Sequence, residues 1–168
     1  MRKIILFIAS SLDGFIAKRN GNVDWLFMDA DYGYSKFYSK VDTVIMGRKT
    51  YEKALEFEKH PFKGKKAYVF TRKSSLKAKN IDLVSDPVTF TKKLKGLSGN
   101  NIWLVGGSDI ISILMNAELV DKIVVSIHPI LLGKGIPLFQ NIKKEINLSL
   151  AKSVKFDSGL LQLHYDVK

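Results

Sequence analysis

LVGGSDIISILM, residues Leu104–Met115, decides how the rest of the chain is read. An apolar run ends at two glycines, Gly106 and Gly107. Beyond them Ile110, Ile111, Leu114 and Met115 recur at helical spacing. Glycine is poor inside a strand or a helix, so the pair marks either an unusual turn or a close approach to the backbone. Strand, tight turn and helix in that order are the signature of β–α alternation.

The same alternation extends upstream. Lys3–Ala9, Thr43–Met46, Lys66–Thr71, Ile81–Val84 and Asn101–Val105 are short apolar runs of the kind that form buried strands. Helical segments are expected at Tyr34–Lys40, Lys49–Leu55, Asp86–Lys95 and Ser108–Asn116. The third opens with Asp86 as cap and Pro87 at the first helical position. Downstream the pattern changes. Lys122–His128 reads as a strand, after which Ile146, Leu148, Leu150, Val154 and Phe156 alternate with more polar residues. After the turn Asp157-Ser158-Gly159, Leu161, Leu163, Tyr165 and Val167 alternate again, which predicts an antiparallel hairpin with one buried face. The expectation is an α/β fold whose mixed sheet is parallel first and antiparallel at its C-terminal edge. No linker divides residues 1–168, so one domain is expected.

Composition narrows the chemistry. A chain of 168 residues, 46% hydrophobic and 26% charged, can bury a sizeable core. It has no cysteine, which excludes disulfides, thiol chemistry and cysteine-ligated zinc. His60, His128 and His164 show no metal-ligand spacing, so no metal is expected. The N-terminal MRKIILFIASSLDG imitates a signal peptide, but its apolar run is short and Asp13 follows soon. A buried first strand and a cytosolic protein are the expectation, with no membrane partner. The net charge of +11 favours anionic partners. The lysines are scattered without a nucleic-acid motif, and nucleic acid is not expected as a partner.

Open α/β sheets bind ligands at the carboxyl ends of their strands. Ser10-Ser11-Leu12-Asp13-Gly14 follows the first expected strand, and Gly47-Arg48-Lys49-Thr50 the second. Thr71-Arg72-Lys73 closes the third, and Gly106-Gly107-Ser108 follows the fifth. Glycines, hydroxyls and cations together suit phosphate. A helix starting at Gly107 or Ser108 turns unpaired N–H groups and its positive dipole end outward. A tight turn without ligand is the alternative, and no G-x-G-x-x-G fingerprint is present. Gly47-Arg48-Lys49-Thr50 reads either as a second anion-binding helix start or as simple capping. Thr71-Arg72-Lys73 suits a ribose 2′-phosphate, hence NADP rather than NAD, or else forms a solvated loop.

Two acids are candidates for the chemistry. A carboxylate facing a heterocycle can hydrogen-bond an amidine-like edge and favour its protonated form, the polarisation that hydride transfer to C=N or C=O requires. Asp31, in MDADYGY, is the first candidate, with helix capping or solvent contact as its structural alternative. Asp13 is the second, with a turn before Gly14 as its alternative. Trp25, Phe27, Tyr32, Tyr34 and Phe37 crowd one region, as core or as walls for a planar ligand.

IASSLDGFIA (Ile8–Ala17), VIMGRKTYE (Val44–Glu52), YVFTRK (Tyr68–Lys73), IWLVGGSDI (Ile102–Ile110) and HPILLGKGIPLF (His128–Phe139) occur in this order over nearly the whole chain. Together they resemble the dihydrofolate reductase-like superfamily, in the branch of the C-terminal reductase domain of bacterial riboflavin biosynthesis enzymes. The resemblance implies a three-layer fold with a mixed eight-stranded sheet, and NADPH as cofactor. It places Ala9 and Ile16 near the nicotinamide, and Gly47, Arg48 and Thr50 at the cofactor phosphates. Thr71, Arg72 and Lys73 match the 2′-phosphate site; Gly106, Gly107, Ser108, Asp109 and Ile110 match the pyrophosphate turn. Counted back from VIMGR, Asp31 falls where dihydrofolate reductases carry the acid that holds the pterin. Asp13 matches the SLDG acid of the riboflavin-pathway reductases. Phe7 stands where those reductases tend to carry lysine, and Val23-Asp24-Trp25 stands near the Met-Pro-Trp position of dihydrofolate reductases.

The resulting expectation is an NADPH-dependent reductase of a small nitrogen heterocycle or a ribosylamino-pyrimidine. The alternatives are an NADP(H)-binding sensor without turnover and a reductase of another carbonyl or nitro compound. A homodimer is expected from the resemblance only.

Overall fold

In the computed structural model, which describes residues 1–72 and 81–168, the chain begins with β1 (Ile4–Ser11), β2 (Phe15–Ala17) and α1 (Tyr34–Tyr38). It continues through β3 (Val41–Gly47), α2 (Arg48–Phe57), β4 (Lys66–Phe70), β5 (Asp82–Val84) and α3 (Pro87–Gly96). Then come β6 (Asn101–Gly106), α4 (Ser108–Asn116), β7 (Lys122–His128), β8 (Ile136–Pro137), β9 (Leu148–Lys155) and β10 (Leu161–Val167). Eight strands form one sheet in the order β5-β4-β3-β6-β1-β7-β10-β9. β1 pairs in parallel with β6 and β7, and β3 with β4 and β6. β10 is antiparallel to both β7 and β9, so the sheet is mixed as the C-terminal alternation predicts.

Two cores sandwich the sheet, because its central strands bury both faces. Ile4, Leu6, Ile45, Ile102 and Leu104 pack with Leu94 of α3 and with Ile111 and Leu114 of α4. On the other face Val44, Met46, Val69 and Trp103 pack with Tyr51 of α2 and with Phe37 and Tyr38 of α1. The period-two alternation of each central strand sorts its residues between these layers. Asp86 caps α3 as expected, its carboxylate accepting from the amides of Val88 and Thr89, both at 3.1 Å.

The neighbouring strands β3 and β6 hand the chain to helices on opposite faces. α2 leaves β3 toward the face of Val44 and Trp103; α4 leaves β6 toward the face of Ile45 and Leu104. Chain direction across the sheet therefore reverses between these strands, and a crevice opens outside their carboxyl ends.

Two features depart from the sequence reading. β2 and β8 form a separate two-stranded antiparallel sheet, too short to leave a periodic signal. The hairpin expected to have one buried face leaves Leu148 and Leu150 40% and 55% exposed. The physical reason is position: β9 is the outermost strand, and its pairing with β10 shifts register at His164/Tyr165.

Candidate functional site

The crevice is a cleft of about 1420 Å³, beyond the roughly 300–1,000 Å³ of a drug-sized ligand site. The ends of β1, β3, β4 and β6 form its floor, and the segment after β2 closes one side with Asn20, Gly21, Val23 and Leu26. Ala9, Ile16, Gly47, Arg48, Thr50, Thr71, Arg72, Gly106, Gly107, Ser108, Asp109 and Ile110 all line it. The structure thus brings the four strand ends together. Lys73, the remaining residue of that set, lies outside the described residues.

The two glycines act differently. Gly106 has φ +130°, a conformation L side chains rarely adopt, and a Cβ there would meet Ile8 Cδ1 at 3.3 Å. Gly107 has a negative φ, −38° with ψ 170°, outside the left-handed region. Its N–H donates to Thr50 Oγ1 at 2.8 Å, and a Cβ on it would meet that oxygen at 3.2 Å. The turn and the close approach asked for by the sequence are therefore both present. The close partner is the third residue of α2, so one hydrogen bond joins the starts of the two helices.

The donor set suits a phosphate-bearing dinucleotide. α2 and α4 start side by side at the cleft, and the first turn of any α-helix leaves amides without intrahelical partners. Arg48 reaches Glu52 at 2.5 Å and keeps 30% of its side chain exposed, while Arg72 is exposed at the end of β4. The Thr71 amide is taken up by Val84 O at 2.9 Å. The Ser108 hydroxyl donates to Pro137 O, away from the first-turn amides, and Asp109 accepts from Gln140 at 2.6 Å. Ile110 is a core residue packed beside Gly47. Ala9 and Ile16 add an apolar surface at the end of β1 and on β2.

Neither acid lines the cleft. Asp13 accepts from Ser11 Oγ at 2.6 Å and from the amides of Leu132 and Gly133 at 3.1 and 2.7 Å. The Ser11 hydroxyl, with these amides, holds its carboxyl below the usual range. Asp31 accepts from the hydroxyl and the amide of Ser35 at 2.6 and 3.0 Å, which lowers its pKa too. Asp13 thus ties a turn, and Asp31 braces the start of α1. The aromatic crowd separates into two packing groups. Trp25 and Phe27 surround His128, with ring centroids at 5.2 and 4.9 Å. Tyr34 and Phe37 pack on Trp103 at 5.7 and 5.5 Å.

Sequence reasoning did not single out Leu26, Phe62, Trp103 or Gln140, all of which line the cleft. Trp103 was legible in principle: on β6 it is out of phase with Ile102 and Leu104 and so faces the other layer. Phe62 and Leu26 belong to irregular segments, where no period indicates a direction.

The profile of the RibD C-terminal domain family matches residues 2–162. The uncharacterised Bacillus subtilis protein YwjB is 39% identical over 170 residues, covering 98% of this chain and 97% of its own. A crystal structure from Shewanella sp. PV-4, provisionally assigned to riboflavin biosynthesis, superposes with a TM-score of 0.87 at 29% identity over 99% of each chain. Dihydrofolate reductase from Enterococcus faecalis, solved in complex with NADP(H) and RAB-propyl, shares the fold. Its TM-score is 0.75 at 15% identity, over 99% of this chain and 96% of that one.

Proposed function

The chain belongs to the RibD C-terminal domain family, and on that premise we propose that it is a cytosolic reductase that uses NADPH. Its substrate would be a small planar nitrogen heterocycle or a ribosylamino-pyrimidine. The observation that carries this reading is the junction of β3–α2 with β6–α4, where two helix starts meet at the cleft through Thr50 and Gly107. In this reading the first-turn amides of α2 and α4, with Arg48, hold the diphosphate. Arg72 and Lys73 hold the 2′-phosphate, and Ala9 and Ile16 lie along the nicotinamide. NADPH, when bound, supplies a hydride. The chain itself orients both partners and excludes water with Val23 and Leu26. A substrate-holding role for Asp31 or Asp13 requires the α1 brace or the Ser11 turn to open. Asp31→Asn and Asp13→Asn test that requirement by their effect on substrate KM.

Titrating NADPH and NADH against intrinsic fluorescence tests the cofactor. NADPH binds more tightly, and Arg72→Ala or Lys73→Ala weakens NADPH more than NADH. Equal or absent binding of the two overturns the proposal. The engagement of both acids elsewhere favours a second reading, an NADP(H)-binding sensor without turnover. Binding without NADPH consumption, across dihydrofolate, the deaminated riboflavin precursor and small carbonyl and nitro compounds, selects the sensor. The homodimer carried by the family resemblance belongs to the same proposal and is read by sedimentation.

A further inference from the structure

We propose that Phe62 is a specificity-determining residue which, with Trp103, forms a rigid aromatic wall for the flat ring of the substrate. This rests on the reductase reading for the meaning of substrate, but the wall is defined by the chain alone. Phe62 has φ +64°, a left-handed conformation that is a genuine outlier for so bulky a residue. The surrounding structure enforces it. The Lys65 amide closes the turn on Phe62 O at 3.0 Å, and Tyr38 Oη donates to Lys63 O at 3.0 Å. Lys65 Nζ donates to Tyr38 O and Val41 O at 2.9 and 2.7 Å and sits 4.2 Å from the centre of the Tyr38 ring. Glycine or asparagine would occupy this backbone position with less strain.

The turn presents a phenyl ring to Trp103, edge to face, with centroids 5.6 Å apart. Trp103 cannot turn away. It is 7% exposed, its Nε1 donates to Phe7 O at 3.0 Å, and Phe37 and Tyr34 pack against it. Phe62 and Trp103 both line the cleft, with Val23, Leu26 and Val105 among their fellow lining residues. Flat rings pack well on such a surface.

The experiment uses four planar probes: menadione and 4-nitrobenzyl alcohol, which carry no charge, and dihydrofolate and the phosphoribosylamino-uracil, which do. Binding is read by tryptophan fluorescence with and without NADP⁺, and turnover by NADPH consumption. Flat probes bind with or without charge. Phe62→Gly relieves the backbone, keeps NADPH affinity, and weakens the bound probes by about tenfold or more; Phe62→Tyr, which retains the ring, restores them. Failure of every probe to bind, or no effect of Phe62→Gly on their binding, overturns the inference. Loss of folding in Phe62→Gly shifts the decision to Phe62→Leu, which keeps apolar bulk without a flat face and weakens the same probes. Failure of the wild-type protein to bind NADPH sinks the reductase reading instead, while probe binding without cofactor still decides the role of Phe62.

Discussion

At the scale of residues, Gly106 and His128 each make a demand that can be measured. Gly106→Ala puts a Cβ at φ +130° and 3.3 Å from Ile8 Cδ1. The expected loss is about 1–3 kcal/mol, read as a shift of the denaturation midpoint at unchanged slope. His128 is 3% exposed, and its Nε2 accepts the Phe27 amide at 3.2 Å while Nδ1 lies 3.3 Å from Ser126 O. That arrangement needs a neutral ring with its proton on Nδ1. Burial lowers the His128 pKa below its ordinary 6.5. The unfolded chain therefore binds the proton first as pH falls. Stability contributed here is fully present above about pH 6.5 and declines as pH drops toward and through the lower folded value. His128→Gln, whose side chain oxygen replaces the acceptor, flattens this limb in thermal melts between pH 7 and 5. The paired glycines were legible as a demand for special geometry. That Gly107 answers to Thr50, 57 residues earlier, was not, because a contact at that separation leaves no local pattern.

At the scale of elements, packing decides more than local propensity. α4 buries Ile110, Ile111, Leu114 and Met115, the same stripe that its spacing announces, and its bounds agree with the periodicity. Leu114 is fully buried, so Leu114→Ala costs about 2–5 kcal/mol. Guanidinium unfolding monitored by circular dichroism checks this. The variant also weakens NADPH if the cradle depends on how α4 is seated. β7 and the Asp86 cap of α3 were equally plain, since each rests on a regular period or a local hydrogen bond. β2 and β8 were hidden because two or three residues cannot display a period. In β9 the apolar alternation is real, but alternation reveals only which residues share a face, not whether anything covers it. Edge position leaves Leu148 and Leu150 outside.

Over the whole molecule, the order of strands determines where the cleft lies. Sequence periodicity gives the strands and their succession along the chain, but not their order across the sheet. Insertion of β6 between β3 and β1 had to come from the fold. The assembled surface carries a net charge of +11, which draws anions from solution. NADPH affinity should therefore fall as ionic strength rises. Arg72→Ala should lower the steepness of that fall, and fluorescence titrations at several salt concentrations measure both slopes. The acids Asp13 and Asp31 show the limit of reading a site from strand ends: neither lines the cleft, and their carboxylates are spent on Ser11 and Ser35.

The Thr50–Gly107 hydrogen bond lies between helices that depart to opposite sides of one sheet. It is therefore a latch across a seam, and the two walls cannot part without freeing that amide. Exchange of the Gly107 proton with deuterium would time each parting, and its slowing on ligand addition would record the gap being bridged, whatever the ligand's chemistry.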